Sequence, residues 1–171
     1  QVVVEEANPA TAPAAAFAAQ SSFNLASGAL GASIAASSGY CCSGHEPVQM
    51  LDTVTEPPWA TTSAATTHFA TVALGGGNVF PIDRVEVQPR TNATYATQRV
   101  KDFTIEVSAD GTAFTPVLTA QTANTDTLQT FALPAGTTAR YVKYRPTTNW
   151  GSSSNISTAR LTVLTSRIGP R

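Results

Sequence analysis

The stretch Ser38-Gly39-Tyr40-Cys41-Cys42-Ser43-Gly44-His45-Glu46-Pro47 holds both cysteines of the chain and one of its two histidines. Zinc takes about four such ligands at suitable spacing, and Cys41, Cys42 and His45 are too few. A nucleophilic cysteine needs a neighbouring base and an electropositive setting, and His45 is the one close candidate. The residues leave three states open: two reduced thiols, a bridge from each cysteine to another chain, or a bond between the two neighbours. A bond between neighbours closes a small strained ring. Flanked by Ser-Gly on either side, such a ring is expected to stiffen a binding loop. Asp52 and Glu56 are close enough in sequence to be imagined as an acid and base pair, but loop structure is the better reading of both. With no metal-ligand cluster and no nucleophile motif, an enzyme is the weakest reading of these residues.

The chain has 171 residues, a formal net charge of -1 and 12% charged residues. No basic patch or stripe suggests nucleic acid as a partner. No apolar run approaches the roughly 20 residues of a membrane-spanning helix, and no signal-peptide pattern stands at the start. A start at Gln1 fits a processed or excised form. Thr, Ser and Ala are abundant and Lys is scarce, a composition common in secreted modules, so a secreted or cell-surface location is expected. Asn92-Ala93-Thr94 and Asn155-Ile156-Ser157 are sequons. They are glycan acceptors in a eukaryotic secreted protein, or chance matches in a chain so rich in Ser and Thr.

The elements that must position these residues are strands. In residues 83–88 Val85 and Val87 share one face and the charged residues the other. Phe103, Ile105 and Val107 alternate with Thr104, Glu106 and Ser108; Val142 and Tyr144 with Lys143 and Arg145; Leu161 and Val163 with Arg160 and Thr162. Period-two alternation places one face on a core and one in water. Asp110-Gly111 predicts a hairpin between 105–107 and 114–117. Gly75-Gly76-Gly77-Asn78 reads as a turn, since no Lys and no helical pattern comes after it. No long amphipathic helix is visible, so the fold class is all-β, a sandwich or jelly roll. Residues 1–22 differ: Gln1–Glu6 suit a short strand, and a Pro- and Ala-rich linker comes next. That extension suits an arm that docks on a neighbouring subunit and so a homo-oligomer. The domain is expected over 23–166, with a tail at 167–171.

Several segments, in order and spacing, resemble the discoidin or coagulation-factor C-type domain family. They are Asn24-Leu25-Ala26, Leu51-Asp52 followed by Trp59-Ala60, residues 69–75, IDRVEVQPR (82–90), RVKDFTIEVSADGTAFTPV (99–117), ARYVKYRPTTNWG (139–151) and ISTARLTVL (156–164). This family also includes galactose-binding carbohydrate modules. The resemblance implies an eight-stranded antiparallel jelly-roll sandwich that binds ligands with loops at one end. It implies that the loop of Cys41-Cys42, residues 52–61, residues 90–98 and residues 147–155 converge there.

By that resemblance Arg90 contacts sugar hydroxyls. Trp150 stacks on the sugar ring, with Tyr95 or Tyr40 as a second surface, and Asn149 and His45 lie in the same loops. The simpler readings are that Arg90 pairs with Glu46 or Glu56, and that Trp150 packs beneath its own loop. Trp59 and His68 are expected to be structural. Ala60 stands where sugar-binding relatives often carry a His, which removes one donor and acceptor from a galactose site. Relatives also hold a structural calcium. Asp52 matches one ligand, but Pro57 stands where a Thr is typical and Arg160 where a Glu should be. No metal or cofactor is therefore expected, and Arg160 is expected to take the ion's place and pair with Asp52. The expected partner is carbohydrate or glycoprotein. Alternatives are an assembly subunit that docks through residues 1–22, and a protein- or phospholipid-binding discoidin domain, whose loop tips usually show apolar or basic residues; few are seen here.

Overall fold

The computed structural model describes residues 22–166. The Gln1–Glu6 strand, the linker behind it and the 167–171 tail lie outside the described residues. One sheet runs in the order β1 (Phe23–Asn24), β12 (Ser157–Thr165), β6 (Arg84–Pro89) and β9 (Gln129–Ala132), with β3 (Trp59–Ala60) also paired to β12. The other runs β2 (Ser33–Ser37), β4 (Ala70–Ala73), β11 (Tyr141–Pro146), β7 (Asp102–Ser108) and β8 (Thr115–Gln121). A short pair, β5 (Phe80–Pro81) with β10 (Thr138–Ala139), stands beside them. All of these pairings are antiparallel. Among the described residues four strands have only two residues; the other eight, of four residues or more, form the expected jelly-roll sandwich.

Alternation in the sequence becomes the two faces of each sheet. Val85 lies opposite Val163 and Val87 opposite Leu161, all four fully buried. Across the core, Val142 lies opposite Val107 and Tyr144 opposite Ile105. Phe103 links the layers: its ring is 5.0 Å from Phe131 on β9 and 5.7 Å from Tyr144 on β11. Trp59 closes the core at 6.1 Å from Tyr144 and donates from Nε1 to the Gly39 carbonyl at 3.1 Å. Such edge and tilted contacts are favoured by the ring quadrupoles. The Tyr144 hydroxyl is fully buried and is satisfied by Thr158 at 2.8 Å. Burial raises its pKa, so it stays protonated.

The Asp110-Gly111 turn joins β7 to β8 as expected. Pro116 is tolerated in β8 because β8 is an edge strand and Pro116 sits at a register shift. The 75–78 stretch is a turn, and Gly75 is required: a Cβ there would strike the Leu30 carbonyl. β12 departs from its expected alternation. Thr162 on its outward face is buried, and its hydroxyl is satisfied by donating to Glu86 Oε2 at 2.8 Å. No described helix is long and apolar enough to cross a membrane.

His68 proves structural. Its Nδ1 lies 3.2 Å from Ser38 Oγ and its Nε2 3.1 Å from Ser63 Oγ, and the ring is buried. Burial holds its pKa below the ordinary value, against an opposing hydrogen bond at Ser63. The unfolded chain therefore takes up a proton near pH ~6.5 that the folded chain resists. Stability is fullest above that value and falls as pH drops through it. The urea midpoint of the wild type should fall between about pH 7 and about pH 5 by more than that of His68→Gln. Parallel curves for the two proteins would refute this role.

Candidate ligand-binding site

Four segments meet at one end of the sandwich. The cysteine loop is tied to the 52–61 segment: Cys41 N–H donates to the Ala60 carbonyl at 2.9 Å, and His45 Nδ1 lies 2.8 Å from the Pro58 carbonyl. The 52–61 segment is tied to the 90–98 loop through Glu56. Glu56 Oε1 accepts from Thr91 Oγ1 at 3.1 Å and from Asn92 N–H at 3.0 Å. The 147–155 loop joins them through Ser152 N–H, which donates to the Thr97 carbonyl at 3.2 Å. Its base is fixed by Thr148, whose hydroxyl donates to Asp102 Oδ2, while Gln121 Nε2 donates to Oδ1 at 2.8 Å. These hydrogen bonds, that of Thr148 foremost, hold the Asp102 carboxyl below its usual range.

Arg90 comes directly after Pro89 at the end of β6 and is 8% exposed. Its Nη1 donates to Gln98 Oε1 at 2.8 Å, and Nη2 lies 3.6 Å from Glu56 Oε2. Its guanidinium carbon is 4.0 Å from the centroid of the Tyr95 ring. Tyr95 itself is 41% exposed. It sits where a short 3-10 turn, Ala93–Gln98, is kinked. Asn92 caps that turn by accepting from Thr94 N–H at 3.0 Å. Arg90 thus has the Glu56 carboxylate as its counter-charge, and Glu46 instead accepts from Gly44 N–H.

Beneath Arg90 lies a second guanidinium, which the sequence pattern alone did not single out. Arg99 is 7% exposed, and its Nε donates to the Arg90 carbonyl at 2.8 Å. Longer contacts reach the Asn124 and Thr91 carbonyls. Its place in the motif Arg99-Val100-Lys101-Asp102-Phe103, directly before a strand, was the available signal.

The remaining residues fall out differently. Trp150 is half-buried, its ring 5.1 Å from Lys101 Nζ, and its Nε1 is buried without a partner among the described residues. Asn149 is committed to its own loop: Nδ2 donates to the Ser152 and Asn155 carbonyls, and Oδ1 accepts from Gly151 and Ser152 N–H. Tyr40 is 43% exposed, next to the cysteines in the chain. Cys41 and Cys42 are paired with each other in this structure. Asn92 is exposed, and Asn155 is half-buried with its Oδ1 enclosed. Val48 and Val54 are exposed, as are Tyr40 and Tyr95, so these segments carry more apolar surface than the sequence suggested.

The expected Arg160–Asp52 pair does not form among the described residues. A bulge between Thr158 and Arg160 adds one residue to β12. Such a bulge reverses the facing of the residues beyond it. Leu161 and Val163 turn inward, and Arg160 turns outward opposite Gln88. Asp52 closes the 47–51 turn in an extended conformation and is exposed. No group of three or more metal-ligating side chains occurs among the described residues.

Glu56 is the tie between segments. Glu56→Ala should lower stability by about 1–2 kcal/mol and raise hydrogen exchange at the Asn92 amide. Unchanged exchange at Asn92 would show that the loop does not depend on this carboxylate.

The F5/8 type C domain family model matches residues 33–160. No curated protein matches the chain. Among solved structures, it is similar to the family 32 carbohydrate-binding module of Clostridium perfringens NanJ in complex with galactose, with TM-score 0.63 and 18% identity over 78% of this chain and 92% of that one. It is similar to the family 32 module of Streptococcus pneumoniae EndoD, with TM-score 0.65 and 14% identity over 82% and 98%. The C-terminal domain of a chitobiase from Bacteroides fragilis gives TM-score 0.64 and 18% identity over 77% and 91%. At these identities the likeness to solved structures is one of fold, while the family match covers most of the sandwich. The chain belongs to the F5/8 type C domain family.

Proposed function

We propose that this chain is a non-catalytic carbohydrate-binding module of a secreted or cell-surface protein, and that it takes its sugar at the loop end of the sandwich. The observation that carries the reading is Tyr95. One face of its ring rests on the buried Arg90 guanidinium, and the residue is 41% exposed. An aromatic face of this kind suits the apolar face of a sugar ring. Arg90 acts as the positioning residue. It holds Tyr95 by the cation–ring contact and orients Gln98 at 2.8 Å. Trp150, in the adjoining loop, is the second aromatic surface.

Two further observations support binding at this end. Four buried side-chain polar atoms lack a protein partner among the described residues: Arg90 Nε, Trp150 Nε1, Asn155 Oδ1 and Ser157 Oγ. All four lie in or next to the converging loops, and an unpaired buried polar group is uncommon enough to call for a functional reason. The NanJ module of the same fold was solved with galactose. The Glu56 carboxylate is engaged with Arg90, Thr91 and Asn92, which suits loop structure and not acid–base work.

A glycan array probed with the whole chain tests this. Tyr95→Ala and Arg90→Ala should each lose about tenfold or more in affinity, while Tyr95→Phe should retain most of it. Loss of stability without loss of binding in Arg90→Ala would remove Arg90 from the site. No glycan bound by the folded protein would sink the reading and favour an assembly role for residues 1–22.

A further inference from the structure

The outer face of the β2-β4-β11-β7-β8 sheet carries a groove of about 380 Å³. Thr71 on β4 and Tyr141 and Lys143 on β11 line it, with Phe69 next to β4 and the β7–β8 turn, Asp110 to Phe114. That turn sits at the end of the sandwich opposite the converging loops, because β7 begins at the loop end with Asp102 and finishes at Ser108.

The turn is fixed in place. Gly111 has φ +82°, and a Cβ there would lie 3.2 Å from the Tyr141 ring. Only glycine allows both that conformation and that approach. Asp110 Oδ1 accepts from Thr112 N–H at 2.8 Å, Ala113 N–H at 3.0 Å and Ser108 Oγ at 2.9 Å. These bonds, the backbone ones foremost, hold the Asp110 carboxyl far below its usual range.

Lys143 is the unusual member. Its side chain is 17% exposed, and Nζ lies 3.6 Å from the Phe114 ring centroid and 5.6 Å from that of Phe69. The nearest carboxylate oxygen, Glu106 Oε2, is 3.8 Å away, beyond hydrogen-bond distance. Glu106 is instead bonded to Arg145 Nε at 2.6 Å. Among the described residues the Lys143 ammonium donates no hydrogen bond. A mostly buried cation with free N–H donors, set between aromatic rings, therefore faces a groove whose rim carries a fixed carboxylate.

Elimination narrows the ligand chemistry. A simple anion would meet Asp110 at the rim and Glu106 beneath. A purely apolar ligand would bury the Lys143 donors unpaired, which is costly. A hydroxyl group both accepts and donates, so neighbouring hydroxyls on one ring can serve Lys143 and Asp110 together. The C–H face of the same ring can lie on Phe114 or Phe69. The volume is within the range of small-molecule sites, about 300–1,000 Å³. We propose that this groove is a second, separate binding site that takes a neutral sugar ring between Lys143, Asp110 and the aromatic rings of Phe69, Phe114 and Tyr141. It does not depend on the loop-end reading.

The test is an amide NMR titration of the whole chain with galactose, N-acetylgalactosamine, glucose, N-acetylglucosamine and mannose at millimolar concentration. At least one sugar should shift the amides of Thr71, Gly111, Thr112 and Lys143 saturably. In Lys143→Met and, as a second variant, Phe114→Leu, those shifts should weaken about tenfold while shifts at Tyr95 and Gln98 stay. If no sugar moves the groove amides, or if the shifts survive in both variants, the proposal fails. Shifts confined to Tyr95 and Gln98 would also overturn it while leaving the loop-end site standing.

Discussion

The Arg90 guanidinium, a cation, is buried at the end of β6. A buried charge must be paired and hydrogen-bonded or the fold gives way around it. The loop end is the arrangement that meets this demand. Glu56 comes from one segment as the counter-charge; Gln98 and Tyr95 come from the next as acceptor and ring. Arg99 pins the Arg90 backbone from below. Glu56 lies on one segment and Gln98 and Tyr95 on another, so satisfying one side chain fixes the relative position of two loops. The pair is not a source of large net stability, since desolvation offsets much of the attraction. Its effect is conformational: the aromatic ring over Arg90 has a defined place.

The scaffold and the loop end obey different rules. Between the sheets, polar groups are few and satisfied, as the Tyr144–Thr158 contact shows. At the loop end, donors and acceptors on Arg90, Trp150, Asn155 and Ser157 are enclosed without partners among the described residues. A core tolerates no such groups, because each costs about 1–3 kcal/mol. The sandwich can carry them because its own packing, from Trp59 through Tyr144 and Phe103 to Phe131, does not involve those atoms. This division is what lets loops hold a site without endangering the fold.

The same division decides what could be read from the sequence. Alternation is a local signal, so β6, β7 and β11 were legible, and the Asp110-Gly111 hairpin with them. β2 and β9 were not, because SIAAS and QTFA are short, small and polar and their partners are distant in sequence. Alternation with Leu161 and Val163 already placed Arg160 on the outer face; the bulge at Thr158/Arg160 has no local marker, because Ala159 looks like any strand residue. Arg90, Tyr95 and Trp150 were named from the resemblance, and Glu56 was one of two carboxylates offered for Arg90, but the cation–ring contacts were not foreseen. Whether Tyr95 rests on Arg90, or Trp150 on Lys101, depends on loop closure. Asn149 looked available because a free amide and one with all four bonds spent on its own loop have the same sequence.

One regularity runs through both faces of the molecule. In a chain with 12% charged residues, several cations among the described residues rest on aromatic rings. Arg90 lies on Tyr95, Lys101 on Trp150, Arg140 on Tyr141, and Lys143 on Phe114. A carboxylate neutralises a cation and consumes its N–H donors. A ring stabilises the cation electrostatically through its face but accepts few of those donors, so they stay free for something else. The same contact also fixes the ring, which then offers its remaining surface at little further entropic cost. Low charge content and cation–ring pairing together produce surfaces on which cations lie beside fixed aromatic faces.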